Sequence, residues 1–322
     1  MGVNTFKFVG MNNVDDPAAI GRPEADRYGR TTTFTEAASI INMDPDNTGG
    51  VKTRRGVTAT SIVAASHSGW SCGLGAFVVS GGFLNSFDGT TLAPLWPVAD
   101  APMTYCQVNN VVVATNDQEY LVIENGVVSQ PAPLSDEFMQ DPPPGKYPVF
   151  YNGRVYYAVG NTLTFTITNS VETCDSRLMR IPIAQEQITG LAAVDDGIYI
   201  GTQTKAFFLK GADPVEGFEL DEVADFGVVP YTMITTRGDK AAIAKTQGEV
   251  MICATQRGIR MGKSGGEFFD PADGAYVTPE TNIGAAFLRE QDGLVHYVVS
   301  LGAGSDYNVY QQPALVVDSL QT

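Results

Sequence analysis

Short apolar runs, each ended by a turn pair, recur along most of the chain. The run Val108–Ala114 is followed by Glu119–Ile123, which ends at the pair Asn125–Gly126. A second pair, Asn152–Gly153, precedes the β-branched and aromatic run Val155–Val159. Asn-Gly is typical of two-residue hairpin turns because both residues tolerate positive φ. The pattern therefore predicts successive β-hairpins and an all-β fold.

These hairpin signals recur at nearly constant spacing. A unit of about 45 residues with several short strands is the period expected of a β-propeller blade. We therefore predict a β-propeller of about six degenerate blades. Hairpins at this spacing also occur in β-sandwiches and barrels, and no blade carries a WD dipeptide, so a sandwich or barrel is the alternative. The turn anchors are Asn110, Gly153, Gly197, Gly248 and Gly293, with a weaker one at Ser68–Gly69.

The predicted propeller domain covers residues 56–322. Residues 1–55 are predicted to form an extended N-terminal arm and a first hairpin, suited to docking on a neighbour. Helix signals are scarce: Leu134–Met139 predicts one helical turn, which the prolines Pro142–Pro144 would end. The same proline run predicts a rigid, extended connector between blades.

Composition adds that the chain is acidic. It has 20 Lys and Arg residues against 36 Asp and Glu, a formal net charge of −16, and charged residues make up only 17% of the total. Such a chain repels nucleic acid, which argues against a sequence-reading DNA-binding protein. The same repulsion suits a conduit through which DNA slides, because a wall of like charge does not hold the DNA.

The cysteines are scattered and form no C-x-x-C pair, which argues against a zinc site and a disulfide framework. We expect reduced, mostly buried thiols and no cofactor. No secretory leader pattern opens the sequence, and no apolar run reaches the roughly 18 to 20 residues of a membrane helix, so we expect no membrane insertion. The four cysteines are Cys72, Cys106, Cys174 and Cys253.

Three short motifs look like catalytic or binding loops but lack the context that the chemistry needs. Gly69–Gly73 matches G-x-S-x-G, yet a β-branched run follows where a nucleophile elbow needs a helix. Gly262–Ser264 has too few residues back to the preceding glycine for a phosphate loop. Asp44–Gly49 opens like a calcium loop, but Arg55 stands where the closing glutamate belongs. We interpret all three as turns.

Two further sets of residues keep other functions open. Paired carboxylates at the mouth of a propeller can hydrolyse glycosidic bonds, although Asp is also common in turns. Exposed aromatic side chains clustered on one face would instead indicate a receptor-binding adsorption protein. The candidate carboxylates are Asp195, Asp196, Asp221, Glu222 and Asp225, and the candidate aromatics are Trp70, Trp96 and Tyr276.

The N-terminal region resembles the start of tailed-bacteriophage virion proteins. Three stretches carry the resemblance: Phe8–Val14 with its Gly-apolar-Asn-Asn motif, then Glu36–Asp44, then Gly50–Gly56. The group is that of the β-propeller tail hubs or nozzles of short-tailed phages, also called packaged-DNA stabilisation or head-closure proteins. The motifs cover residues 6–57, and the remainder is similar in architecture only. This chain departs from the group in Ser39–Ile41 and in its shorter length.

The resemblance implies a non-enzymatic, structural role in the virion tail, after synthesis in the host cytoplasm. Six copies would form a ring below the portal and adaptor, contact neighbouring tail proteins, and continue the DNA channel with non-specific contact to the moving DNA. Lys52, Arg54 and Arg55 would then be a positive patch for an acidic neighbouring subunit, since Arg makes bidentate contacts with carboxylates. The alternative for these three residues is a solvated hairpin whose edge charges discourage aggregation.

Overall fold

The structure is a computed structural model of the 322-residue chain. It describes residues 66–178, 180–213, 217–238, 248–270, 278, 281–291 and 294–302, and the backbone of the strands within 6–53 and 309–313. None of the residues so described lies in a helix. The expected all-β class is confirmed.

The N-terminal region contains two small sheets. Strands β1 (Phe6–Met11), β2 (Arg22–Ala25) and β3 (Thr31–Ala37) form one sheet, in which β3 lies between a parallel β1 and an antiparallel β2. Strands β4 (Met43–Pro45) and β5 (Val51–Thr53) form an antiparallel hairpin. The predicted arm and first hairpin thus include five short strands.

Six further sheets follow one another along the described chain, and nearly every strand in them pairs with the next in sequence. The first sheet contains β6 (Ser66–Cys72), β7 (Gly75–Ser80), β8 (Phe83–Phe87) and β9 (Leu92–Pro97). The second contains β10 (Thr104–Val108), β11 (Val111–Thr115), β12 (Tyr120–Glu124) and β13 (Val127–Ser129). The third contains β15 (Lys146–Tyr151), β16 (Arg154–Val159), β17 (Thr162–Phe165) and β19 (Arg180–Pro182). Strands β14 (Met139–Gln140) and β18 (Cys174–Asp175) pair with each other and form a separate two-stranded sheet.

The next three sheets have the same sequential order. The fourth sheet contains β20 (Ile188–Val194), β21 (Gly197–Thr202), β22 (Ala206–Asp213) and β23 (Gly217–Ala224). The fifth contains β24 (Ile234–Arg237), β25 (Glu249–Thr255), β26 (Gly258–Lys263) and β27 (Glu267–Phe269). The sixth contains β28 (Gly284–Gln291), β29 (Leu294–Leu301) and β30 (Val309–Pro313). Small sheets whose strands pair in sequence order are typical of propeller blades.

The predicted turn pairs occupy hairpin loops. Asn125–Gly126 joins β12 to β13 and Asn152–Gly153 joins β15 to β16, and all four residues have positive φ. Positive φ at both central residues defines the type I′ turn, whose twist matches that of the flanking strands. Of the predicted anchors, Asn110, Gly153 and Gly197 mark the connection between the first and second strands of their sheets.

One predicted anchor is wrong. Ser68–Gly69 lies inside β6, where the strand register shifts and Ser68 has a φ of 56°. The hairpin turn is at Gly73–Leu74 instead, between the paired residues Cys72 and Gly75. A β-bulge uses the same residue types as a turn, which explains why the sequence pattern was ambiguous here.

The predicted helical turn at Leu134–Met139 is also wrong. The segment bends without a helix, because its backbone groups bond to side chains and to a distant strand. The Leu134 N–H donates to Thr173 Oγ1 at 3.2 Å, and the Phe138 N–H donates to Asp136 Oδ1 at 3.1 Å. Such local side-chain bonds compete with helix formation. The prolines Pro142–Pro144 lie in a strand-free connector between β14 and β15, and the predicted rigidity of this connector stays a prediction.

The chain divides into two compact units. Unit 1 comprises Met1–Gly56, Val194–Phe208 and Leu220–Thr322, and unit 2 comprises Val57–Ala193 and Leu209–Glu219. The predicted domain boundary between residues 55 and 56 stays a prediction.

In unit 2, the sheet β10–β13 is buried on both faces. Val112 and Leu121 pack with Phe77 and other residues of the sheet β6–β9, while the alternate residue Val113 packs with Tyr157 of β16. Because side chains alternate between the two faces of a strand, a strand buried on both sides reads as a continuous apolar run. This arrangement explains the sequence of β11, Val-Val-Val-Ala-Thr.

Unit 1 has an equivalent core between two successive sheets. Val250, Ile252 and Met261 of the sheet β24–β27 pack with Tyr297 and Val299 of β29. The cysteines follow the expected burial: Cys106, Cys174 and Cys253 are buried, Cys72 is half-buried, and all four are free thiols. Burial raises the pKa of Cys106 and of Cys253 to about 12.

Candidate interaction surface

The predicted basic interface falls almost entirely outside the described residues. Lys52 lies in β5, where its backbone is paired with that of Asp44. Arg54 and Arg55 lie beyond the described part of the chain. Their proposed role as a patch for an acidic subunit therefore stays a prediction.

The candidate carboxylates Asp195 and Asp196 form the tight connection between β20 and β21. Asp195 Oδ2 accepts a hydrogen bond of 3.1 Å from the backbone N–H of Glu249, at the start of β25. Burial, and secondly the negative charge of Asp195, raises the pKa of Glu249. Asp195 thus has a structural role in joining the hairpin turn to the next sheet.

Two of the remaining candidate carboxylates hold ion pairs. Glu222 Oε2 lies 2.5 Å from Lys205 Nζ, and Asp225 accepts bonds of 2.8 and 3.1 Å from the two terminal nitrogens of Arg257. Hydrogen bonds from Arg257 lower the pKa of Asp225. Asp221 directly precedes Glu222 in β23 and is exposed. The structure therefore brings Asp221, Glu222 and Asp225 to one strand end, with two of the three neutralised.

The candidate aromatics are not a free recognition surface in the described residues. Trp70 stacks on Tyr105 with ring centroids 5.4 Å apart and on Phe77 at 6.4 Å. Trp96 is likewise half-buried, and both tryptophans pack against the core between the sheets β6–β9 and β10–β13. Tyr276 lies outside the described residues.

The three loop-like motifs lie mainly in strands. Residues 69–72 of the G-x-S-x-G match belong to β6, and Gly262 and Lys263 end β26. Asp44 lies in β4, and the rest of the calcium-like loop, apart from Pro45, is outside the described residues. Among the described residues, no three His, Cys, Asp or Glu side chains are grouped closely enough to hold a metal ion.

The feature that the sequence did not predict is a small apolar surface built on the two-stranded sheet β14–β18. Its exposed side chains are Leu134, Phe138 and Leu178, which are 59%, 37% and 46% exposed. Leu134 and Phe138 are hydrogen-bonded through their backbones to Thr173 and Ser176, close in sequence to Leu178. Grouped exposed apolar side chains on a soluble protein mark interaction sites. We call these three residues, together with Arg177, the β14–β18 patch.

Two chain segments meet to build this patch. The register of β14 and β18 pairs Met139 with Asp175, and the Ser176 N–H donates to the Phe138 carbonyl oxygen at 2.9 Å. The Leu178 N–H in turn donates to the carbonyl of Asp175 at 3.1 Å. The backbone thus fixes Phe138 and Leu178 on one small unit, outside the four-stranded sheets.

Arg177 holds the centre of the patch. Its Nε donates to Asp175 Oδ1 at 3.0 Å and its terminal nitrogen to Oδ2 at 2.7 Å. The guanidinium carbon lies 4.3 Å from the centre of the Phe138 ring. An arginine that is bonded to a carboxylate at two points and stacked on an aromatic ring is held in one geometry.

The ion pair between Arg177 and Asp175 predicts that the Asp175 carboxyl group is protonated only in strong acid. The side-chain and then the backbone hydrogen bonds of Arg177 lower the pKa of Asp175 from 3.8 to about 2. Because the pKa in the folded chain is depressed, the stabilisation is complete above about pH 4 and is lost as the pH falls through 2. We expect a carboxyl NMR titration to place Asp175 near 2.

The matched variant is Arg177→Gln, which keeps the backbone bond and removes the side-chain bonds. The pKa of Asp175 should then rise part of the way towards 3.8, while that of Asp225, which is lowered by a different arginine, stays unchanged. A value near 3.8 in the unaltered chain would contradict this ion pair.

A signal for the patch is present in the sequence, although we interpreted it differently. Leu134 and Phe138 stand among polar and acidic residues, between two predicted blades, where no sheet core requires them. Apolar residues four apart also match a helical face, so periodicity alone favoured the helical turn. Their pairing with residues about 40 positions later cannot be inferred from local pattern.

Comparisons with known proteins give the fold. No family model and no curated protein matches the chain. The N-terminal domain of Nup159 is 12% identical, with 72% of each chain covered and a TM-score of 0.48. The WD40 domain of Neurospora crassa Pan2 is 9% identical, with 72% of this chain and 70% of that chain covered and a TM-score of 0.44.

A third solved structure is the extracellular domain of a two-component system from B. thetaiotaomicron. It is 11% identical, with 80% of this chain and 34% of that chain covered and a TM-score of 0.50. This chain therefore spans about a third of that protein's length. Identities this low show the fold alone. The sheets of sequentially paired strands agree with the predicted all-β β-propeller fold.

In the described part of the chain there is no helix with the length and apolar character needed to cross a membrane.

Proposed function

We propose that this protein is a structural component of a bacteriophage tail, a nozzle or hub that forms part of the DNA channel below the portal and adaptor. It helps to retain packaged DNA and to deliver it on ejection. One observation carries the proposal: the N-terminal pattern of the phage tail hub group, at residues 8–14, 36–44 and 50–56, stands in a chain whose fold is a β-propeller.

Charge supports this role. A net charge of −16 opposes DNA binding, and a conduit works best when DNA slides past without being held. Several identical chains around the tail axis, six by resemblance to the group, contact the adaptor and neighbouring tail proteins. The DNA is touched only in passing, and the protein resides in the virion tail after synthesis in the host cytoplasm.

The structural placement of the carboxylates supports a non-enzymatic role. Asp195 is bonded to a backbone N–H, and Glu222 and Asp225 each form an ion pair. A glycosidase needs one carboxylic acid and one free carboxylate on either side of the bond that it cleaves. Carboxylates held by cations and backbone amides are poorly suited to that exchange of protons.

Gold-labelled antibodies against the purified chain, imaged on phage particles by negative-stain electron microscopy, test the proposal. We expect label on the tail axis directly below the capsid, and a ring in averaged end views. Label at fibre tips would support an adsorption protein instead. Cleavage of a host polysaccharide panel by the purified chain would support a carbohydrate-active propeller, and either outcome overturns the tail-conduit role.

A further inference from the structure

We propose that the β14–β18 patch binds the basic segment Lys52–Arg55 of a second copy of this chain. The inference rests on the proposed ring of identical subunits and names the surfaces that join them. Its structural basis is an apolar, acidic-rimmed surface that is already rigid before a partner arrives.

The apolar part of the patch is free to bind. Leu134, Phe138 and Leu178 contribute to neither of the cores described for unit 2, and each exposes more than a third of its surface. Arg177 is fixed by Asp175 and fixes Phe138 in turn. A preorganised surface loses little side-chain entropy on association, so more of its contact energy appears as affinity.

The charge around the patch selects the partner. Asp136, Glu137 and Asp141 surround Phe138 in sequence and are exposed, while the one cation of the patch, Arg177, is already paired with Asp175. An acidic rim around an apolar centre repels other acidic surfaces and attracts a segment that carries several cations. The partner must therefore be basic, with alkyl or planar groups that can cover Phe138.

A second copy of the chain can supply such a segment. Lys52, Arg54 and Arg55 place three cations within four residues. The other dense basic group, Arg257, Arg260 and Lys263, is already used, since its members pair with Asp225, Asp270 and Glu267 of the same chain.

The side chains in this segment suit the patch chemically. Arginine binds carboxylates through two parallel hydrogen bonds, and its planar guanidinium also stacks on aromatic rings. Arg54 and Arg55 can thus address Glu137, Asp141 and the open face of Phe138 together. Lysine would satisfy the charge but neither the fork geometry nor the stacking.

The test is sedimentation velocity on the full purified chain across a concentration series. We expect the unaltered chain to self-associate. Leu134→Ser with Phe138→Ser should raise the dissociation constant at least about tenfold, as expected for central interface residues. Val127→Ser, at a residue 68% exposed on β13 outside the patch, should change nothing.

Charge exchange identifies the occupant. Glu137→Lys with Asp141→Lys, and separately Arg54→Glu with Arg55→Glu, should each abolish association, and the two combined in one chain should restore it. Circular dichroism confirms that each variant is folded. Restoration cannot come from a variant that merely unfolds, so the combined variant keeps the inference falsifiable.

Three results overturn the inference: an unaltered chain that remains monomeric, patch variants that associate normally, or reversed charges that fail to rescue. A further result would be patch variants that self-associate normally and yet are missing from phage particles. The patch would then bind another tail protein, and this result would also overturn the inference. None of these results removes the gold label of the unaltered chain from the tail axis, so the proposed function can stand while this contact fails.

Discussion

Arg154→Met should lower the free energy of unfolding by about 3 kcal/mol, because it removes the buried guanidinium that pairs with the half-buried Asp213 carboxylate and bonds the buried Thr166 carbonyl. Arg154 is buried, and one terminal nitrogen donates to both oxygens of Asp213 at 3.2 and 3.0 Å. The other terminal nitrogen donates to the Thr166 carbonyl at 3.0 Å. Urea unfolding followed by circular dichroism measures the loss as a lower midpoint at unchanged slope.

The control is Arg257→Met, at an arginine–aspartate pair on the surface. The side chains of Arg257 and Asp225 are 55% and 77% exposed, so their pairing contributes less than about 1 kcal/mol. Replacing both partners, with Arg154→Met and Asp213→Leu, should recover much of the loss because neither charge remains. Equal effects of Arg154→Met and Arg257→Met would contradict this account.

The hairpins were predictable because their determinants are local. Asn125–Gly126 and Asn152–Gly153 have the positive φ that a two-residue turn requires, and their flanking residues alternate or run apolar according to burial. The repeat of these turns gave the propeller architecture. The turn predicted at Ser68–Gly69 was wrong for the same local reason. The bulge within β6 has a residue with positive φ, just as a turn does.

The interactions that hold the molecule together at longer range were not predictable. Arg154 follows an Asn-Gly turn and reads as a solvated edge residue, but its partner Asp213 lies 59 positions later. The contact between Phe138 and Arg177 was unpredictable for the same reason, because their stacking depends on the pairing of β14 with β18. A single sequence carries no signal for such pairs. Function therefore rests on the resemblance, and the interaction surface on the structure.

Tyr199→Ala should be at least as costly as the loss of Arg154, at about 3–5 kcal/mol, because it empties a filled core site. Tyr199 is fully buried, and its ring centroid lies 4.8 Å from that of Phe208 and 5.0 Å from that of Phe268. Its hydroxyl donates to the carbonyl oxygen of Lys263 at 2.5 Å. Phe287→Ala, at an exposed aromatic of β28, should cost less than about 1 kcal/mol.

Tyr199→Phe separates the contribution of the hydroxyl group to stability from that of the ring. Burial raises the pKa of Tyr199, so the phenol stays protonated and serves as a donor at all working pH values. Removing it leaves the Lys263 carbonyl without this bond inside the protein, which costs about 1–3 kcal/mol. If Tyr199→Phe and Tyr199→Ala cost the same, ring packing contributes nothing and the core assignment fails.

The glycine facing this ring gives a sharper test through coupling. A Cβ at Gly262 would lie 2.6 Å from Tyr199 Cζ, closer than atoms can approach, so Gly262→Ala should destabilise the folded chain by about 1–3 kcal/mol through overpacking. In the Tyr199→Ala background the ring is gone and the added methyl fills part of the cavity. The double variant should therefore be more stable than the sum of the two single losses predicts, by at least about 1 kcal/mol. Additive losses in urea unfolding would contradict the close contact between Gly262 and the Tyr199 ring.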